Sequence, residues 1–187
     1  MRSSHLSSVL KKGGIAVIPT DTIYGIVARA RSPRAVARLY RLRRKTPKKP
    51  FIILIDSIAS VQDFGIRLTS TQKIFLERVW PGKVSVIFPC PAKQFSYLHL
   101  KTKTLALRLP RSRRLLALLQ ETGPLVAPSA NLEGKQPAKT ITEARHYFGD
   151  LVDLYVSYGR KIQGKPSTVV SLLSEEPEIL RDGAVKI

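Results

Sequence analysis

The chain has 187 residues, 43% hydrophobic and 24% charged, a globular balance that excludes an acidic solvating chain or a low-complexity one. Its 32 Lys and Arg against 13 Asp and Glu give a formal charge of +19. A lone cysteine, Cys90, excludes an internal disulfide, and no apolar run approaches the ~18 residues of a membrane span. The N-terminal MRSSHLSSVLKKGG has no apolar secretory stretch. The expectation is one soluble, cytoplasmic domain over residues 1–187.

Leu6, Val9 and Leu10 are spaced for a helix, which Gly13 and Gly14 stop. Residues 14–19 (GIAVIP) predict a buried strand, and 24–28 a second. Ser32-Pro33 places a capping hydroxyl before a proline suited to the first helical position, predicting a helix to about residue 44. Val36, Leu39 and Tyr40 form its apolar stripe, with Arg34, Arg38, Arg41 and Lys45 on another face. Residues 51–55 (FIILI) predict a core strand, 70–80 a helix stopped by Pro81-Gly82, and 84–88 a strand. Strand 104–109 alternates apolar and other residues, 111–121 is helical, and 125–127 is a short strand running into Pro128-Ser129-Ala130-Asn131. A helix over 142–148, strands over 151–156 and 168–173, and a closing strand over 179–181 complete the chain. Helices and strands interleave without a strict βαβ rhythm, which predicts an α/β fold with a twisted mixed sheet and flanking helices.

The charge is uneven. Residues 1–120 carry 24 basic and 4 acidic residues, a net of +20, whereas 121–187 carry 8 and 9. Ten Arg and Lys and no acid fall between Arg29 and Lys49. Such a surface suits a polyanion, either RNA or a nucleotide triphosphate.

The three histidines, His5, His99 and His146, are scattered without metal-ligand spacing, and Cys90 has no partner base. Neither GxxxxGK[ST] nor GxGxxG occurs, so a nucleotide site must come from basic side chains and small polar residues at strand ends. Four segments supply them: Pro19-Thr20-Asp21-Thr22-Ile23-Tyr24-Gly25, Pro128-Ser129-Ala130-Asn131, Pro166-Ser167-Thr168 and Arg181-Asp182-Gly183. Arg43, Lys45 and Lys49 follow the basic helix, and Arg108 sits in an apolar strand, where a charge must face a cavity or a partner.

PTDTIYG (19–25), KKPFIIL (48–54), WPGKVSVIF (80–88), LRLP (107–110), SAN (129–131), STVV (167–170) and LRDG (180–183), in this order, resemble the YrdC family over about residues 8 to 187. The length resembles its single-domain form. The resemblance implies a twisted α/β sheet with a basic concave face. It also implies threonylcarbamoyl-adenylate synthesis from L-threonine, bicarbonate and ATP, with Mg²⁺ accompanying the nucleotide, for modification of the tRNA adenosine next to the anticodon. By position, Thr22, Arg108 and Ser167 are expected to hold threonine. Arg43, Lys45, Lys49, Thr104, Ser129 and Arg181 are expected to line ATP. Lys45, Ser129 and Asn131 are the expected catalytic residues, with no protein-held metal. Implied partners are tRNA or double-stranded RNA on the basic face and downstream threonylcarbamoyl-transfer proteins, with no membrane. Two departures stand out: Arg43-Arg44-Lys45 replaces the usual Lys-x-Arg, and Ser171 stands where the family often has Asp. The other class that fits the charge is a non-catalytic module of the same fold that binds double-stranded RNA, tRNA or rRNA.

Overall fold

Strand pairing organises the chain around one sheet. The computed structural model describes residues 2–43, 50–159, 161–174 and 176–187. Nine strands lie in the order β7-β1-β2-β6-β3-β5-β4-β8-β9. They are β1 (Ala16–Pro19), β2 (Tyr24–Arg29), β3 (Ile52–Leu54), β4 (Val84–Pro89), β5 (Thr104–Arg108), β6 (Leu125–Val126), β7 (Leu154–Tyr155), β8 (Thr168–Ser171) and β9 (Glu178–Arg181). Three pairs are parallel (β1/β7, β3/β5 and β4/β8) and the other five antiparallel, so the sheet is mixed, as expected.

Successive residues of a strand face opposite sides of the sheet, and here both sides are apolar for much of its width. Ile15 and Val17 enter one core cluster while Ala16 and Ile18 enter another. The first cluster packs under α2 (Pro33–Leu42), α3 (Ser70–Val79), α4 (Ser96–His99) and α6 (Ile141–Phe148). The second packs under α1 (Arg2–Lys11) and α5 (Arg113–Thr122), through Leu6, Leu10, Leu115, Leu118 and Leu119. These two helices cover only part of their side. Leu105 and Leu107 of β5 point into the first core, so Thr104, Ala106 and Arg108 face the side that α1 and α5 leave partly open. Ile52, opposite Ala106, shares that face, and both are half-buried. The uncovered part is the hollow that holds the site.

Local signals account for most helix ends. Ser32 Oγ accepts from the Ala35 amide, with Pro33 opening α2. Thr69 and Gln72 form a reciprocal capping box at α3. The expected strand over 151–156 shortens to Leu154–Tyr155, because Gly149–Leu151 is a 3-10 turn. The four-residue α4 and the 3-10 turns Ala59–Phe64 and Lys93–Phe95 were not anticipated, being too short to show periodicity. Among the described residues no helix is long and apolar enough to cross a membrane.

Leu54 is fully buried between β3 and the α1/α5 layer. Leu54→Ala is expected to cost about 2–5 kcal/mol, read as a lowered urea midpoint with unchanged slope. One surface tie is also testable. Arg38 Nη1 lies 2.6 Å from Asp153 Oδ2, which also accepts the Ile15 amide at 2.7 Å. Burial pushes the Asp153 carboxyl up, but the bonds from Arg38 and Ile15 and the Arg38 charge outweigh it, leaving the group below its ordinary 3.8. A carboxylate depressed on folding stabilises the fold above its ordinary value and loses that contribution as pH falls through the folded one. Asp153→Asn is therefore expected to flatten the loss of stability below about pH 4 relative to wild type, measured by denaturation at stepped pH.

Candidate functional site

The turn between β1 and β2 is built around one hydroxyl. Thr20 Oγ1 donates to the Ile23 carbonyl at 2.6 Å and accepts from the Thr22 and Ile23 amides at 3.2 Å. It also lies 3.0 Å from Thr22 Oγ1. This pins the turn, with Thr22 toward the hollow and Asp21 away from it. Gly164, in the segment leading to β8, lies so close that a Cβ there would overlap the Thr22 carbonyl, so no other residue fits.

Beside this turn, the Ser129-Ala130-Asn131 turn follows β6. It is tied down by the Ile26 amide to the Pro128 carbonyl (3.0 Å) and the Ala130 amide to the Tyr24 carbonyl (2.9 Å). Ser167 enters from the start of β8 and Arg181 from β9. Thr20, Thr22, Arg43, Phe51, Ile52, Arg108, Ser129, Ser167 and Arg181 line one cavity of about 210 Å³. Six stretches separated in sequence therefore converge on it.

Its electrostatics are set by three guanidinium groups, two of them buried. Arg108, at the end of β5, is 4% exposed, and its Nη1 is buried without a hydrogen-bond partner. Burial drives its pKa down, opposed by the charge of Asp21, whose Oδ1 lies 3.0 Å from Nη2. Arg43 is also buried. Its Nε donates to the Asn131 carbonyl at 2.9 Å and its Nη2 to Asn131 Oδ1 at 3.1 Å, while the guanidinium lies 5.6 Å from the Phe51 ring centroid. Burial lowers its pKa as well, against the opposing influence of Glu133 and Tyr40. Arg181 Nη2 donates to the Ser167 carbonyl at 2.7 Å, and partial burial lowers its pKa. All three remain charged at neutral pH, because a guanidinium titrates far above it. The cavity therefore favours an anion with several acceptor atoms.

Of the expected site residues, Thr22, Arg43, Arg108, Ser129, Ser167 and Arg181 share this cavity. Lys45 and Lys49 lie outside the described residues. Thr104 is not brought there: it occupies the opposite end of β5 from Arg108, roughly 13 Å away at strand rise, with its hydroxyl 3.0 Å from Thr102 Oγ1. Asn131 does not line the cavity either. Its Oδ1 accepts from Arg43 and its Nδ2 donates to the Leu132 and Lys135 carbonyls at 2.7 and 2.8 Å. Every polar atom of the side chain is thus engaged within the fold, and through Oδ1 it holds the Arg43 guanidinium in place. Ser171, at the far end of β8 from Ser167, accepts from the Leu173 amide.

Sequence reasoning missed Ser85. Fully buried in β4, it lies 2.8 Å from Ser167 Oγ, hydroxyl to hydroxyl, and so fixes the rotamer of a cavity residue. The available signal was a lone hydroxyl in an otherwise apolar strand, VSVIF.

The Sua5/YciO/YrdC family model, which carries the description "Telomere recombination", matches residues 8–183. The chain belongs to this family. Within the Sua5/YciO/YrdC family, it is 30% identical over 184 residues to the threonylcarbamoyl-AMP synthase of Bacillus subtilis, covering 97% of this chain and 53% of that protein. It is 32% identical over 169 residues to the threonylcarbamoyl-AMP synthase of Thiobacillus denitrificans, covering 89% of each. The chain thus spans about half the length of the Bacillus relative and most of the Thiobacillus one. The crystal structure of P. abyssi Sua5 complexed with L-threonine superposes with a TM-score of 0.89 at 25% identity, covering 97% of this chain and 54% of that one. E. coli YciO shares the fold, with a TM-score of 0.87 at 23% identity over 99% of this chain and 90% of that one.

The hydrogen bonds of Asn131 have a measurable consequence. Asn131→Ala strips an acceptor from a buried guanidinium and donors from two carbonyls. It is expected to lower stability by about 1–3 kcal/mol in chemical denaturation.

Proposed function

We propose that this chain is an L-threonylcarbamoyladenylate synthase. The observation that carries the reading is the buried, partnerless Nη1 of Arg108, set in one cavity with Thr22 and Ser167 and flanked by Arg43 and Arg181. A guanidinium edge with two nearby hydroxyls suits the carboxylate and hydroxyl of threonine. The relatives named threonylcarbamoyl-AMP synthase and the threonine complex of P. abyssi Sua5 support the same substrate.

The chemistry follows from the inventory. The threonine amine and bicarbonate combine to an N-carboxy anion with loss of water. One oxygen of that carbamate attacks the α-phosphorus of ATP, the bond to the β-phosphate oxygen breaks, and pyrophosphate leaves with the electron pair. Negative charge grows on the phosphoryl oxygens and the departing group, so fixed cations lower the barrier and no covalent nucleophile is needed. Arg43 and Arg181, held rigidly by Asn131 and Ser167, provide such charge without reorganising. Ser129 Oγ, 3.5 Å from Arg43 Nη2, offers a further donor. Lys45 and Lys49 are proposed to extend this set along the triphosphate. Among the described residues no three His, Cys, Asp or Glu side chains are placed to hold a metal ion. Mg²⁺ belongs in this reading to the substrate, bound to the phosphates of ATP.

The proposal extends to a cytoplasmic setting and to transfer of the product, through downstream proteins, to tRNA. The runner-up reading, a non-catalytic RNA-binding module, draws on the exposed Arg34 and Arg41 of α2 and the basic excess of the first 120 residues. An RNA binder would show salt-sensitive RNA affinity without turnover.

The deciding measurement is pyrophosphate release from ATP, expected only with both threonine and bicarbonate present. Turnover independent of threonine, or none, defeats the reading. Arg108→Ala is expected to raise the KM for threonine roughly 10- to 100-fold with little change in the KM for ATP. Ser129→Ala is expected to lower kcat with the KM for threonine nearly unchanged. Equal effects of both variants on both substrates would contradict the assignment.

A further inference from the structure

We propose that Asp21 is a positioning residue for threonine, acting entirely through Arg108; the inference rests on the functional reading above. Asp21 sits behind Arg108. It does not line the 210 Å³ cavity, but borders two neighbouring hollows on the other side of the turn, together with Lys83. Its side chain is 11% exposed and that of Arg108 5%, so the pair is almost fully withdrawn from water. Replacing the water lost by a guanidinium requires a counter-charge, and among the described residues Asp21 is the only carboxylate in contact with Arg108.

The alignment of the pair is what assigns the role. Asp21 Oδ1 is 3.0 Å from Arg108 Nη2, close enough for strong attraction, yet neither Asp21 Oδ1 nor Arg108 Nη1 makes an aligned hydrogen bond. A carboxylate that gripped the guanidinium fork with both oxygens would leave nothing for a substrate. Here the second oxygen, Oδ2, turns aside to accept the Arg111 amide at 3.4 Å. Asp21 therefore fixes where the guanidinium of a cavity-lining residue lies while leaving its Nη1 without a hydrogen-bond partner. The carboxylate is itself held, because the Thr20 hydroxyl pins the turn on either side of it. Along Thr20-Asp21-Thr22, the two threonines border both the cavity and a neighbouring hollow, whereas Asp21 does not line the cavity.

A residue that works only through Arg108 must move threonine binding, spare ATP, and lose its effect once Arg108 is gone. The test is steady-state kinetics of the full chain for Asp21→Asn, Asp21→Glu, Arg108→Ala and the double variant Asp21→Asn/Arg108→Ala. Asp21→Asn is expected to raise the KM for threonine at least tenfold, with the KM for ATP and kcat within threefold of wild type. Asp21→Glu, which keeps the charge but displaces it by a methylene, is expected to give an intermediate rise of about threefold. In the Arg108→Ala background, adding Asp21→Asn is expected to change the KM for threonine by less than twofold. Additive effects, a matching rise in the KM for ATP, or a KM for threonine that stays within twofold of wild type in Asp21→Asn would overturn the inference. Should Asp21→Asn fail to fold, Asp21→Glu decides alone: an unchanged KM for threonine overturns it. A wild-type chain without threonine-dependent pyrophosphate release would instead sink the functional reading, which keeps the two failures distinct.

Discussion

A guanidinium taken out of water must be given back its hydrogen bonds and its counter-charge, and this protein withdraws two of them, Arg43 and Arg108, around one hollow that the more exposed Arg181 also lines. Hydrogen bonds are largely restored from within: Arg43 by Asn131, Arg181 by the Ser167 carbonyl. Counter-charge comes from Asp21, whose Oδ1 lies 3.0 Å from Arg108 Nη2, and from the influence of Glu133 on Arg43. The remainder is a rigid excess of positive charge in a low-dielectric setting, where an anion gains more than it would at the surface. The surrounding fold can be read as the means of enforcing that arrangement. The sheet brings distant turns side by side, and the incomplete cover by α1 and α5 leaves room above Ile52 and Arg108.

The same constraint fits a cavity whose described lining residues include no His or Cys. The proposed nucleotidyl transfer asks for orientation and charge stabilisation, and arginines with fixed acceptors suit both. The rigid partners Ser85 and Asn131 lie outside the cavity for a physical reason. Holding a flexible side chain in one rotamer takes a neighbour that is itself immobile, and burial supplies that immobility.

How much of this was legible in the sequence depended on the range of the forces involved. Capping at Ser32 and the period of α2 are local, and the structure follows them within two residues. The insertion of β6 between β2 and β3 arises from pairings across about a hundred residues, and no local pattern encodes it. Arg108 was recognisable because a charge within LALRL has few places to go. Thr104 faces the same side of β5 as Arg108, but the rise of the strand sets it apart from the cavity lining, a separation no local pattern encodes. The hydrogen bonds of Asn131 were not legible, since the direction of an amide side chain depends on what packs behind it. His99, for which the sequence offered no partner, is buried at the end of α4.

β9 is the outermost strand of the sheet, and all four of its residues are exposed. Edge strands of this kind separate from their neighbours more readily than central ones. Since Arg181 rides on β9, the anion-binding set is complete only while that edge is docked on β8. An occupant of the hollow that engages Arg181 therefore acts as a latch on the sheet's margin, so that saturation should slow amide hydrogen exchange along β8 and β9 well beyond the residues it touches.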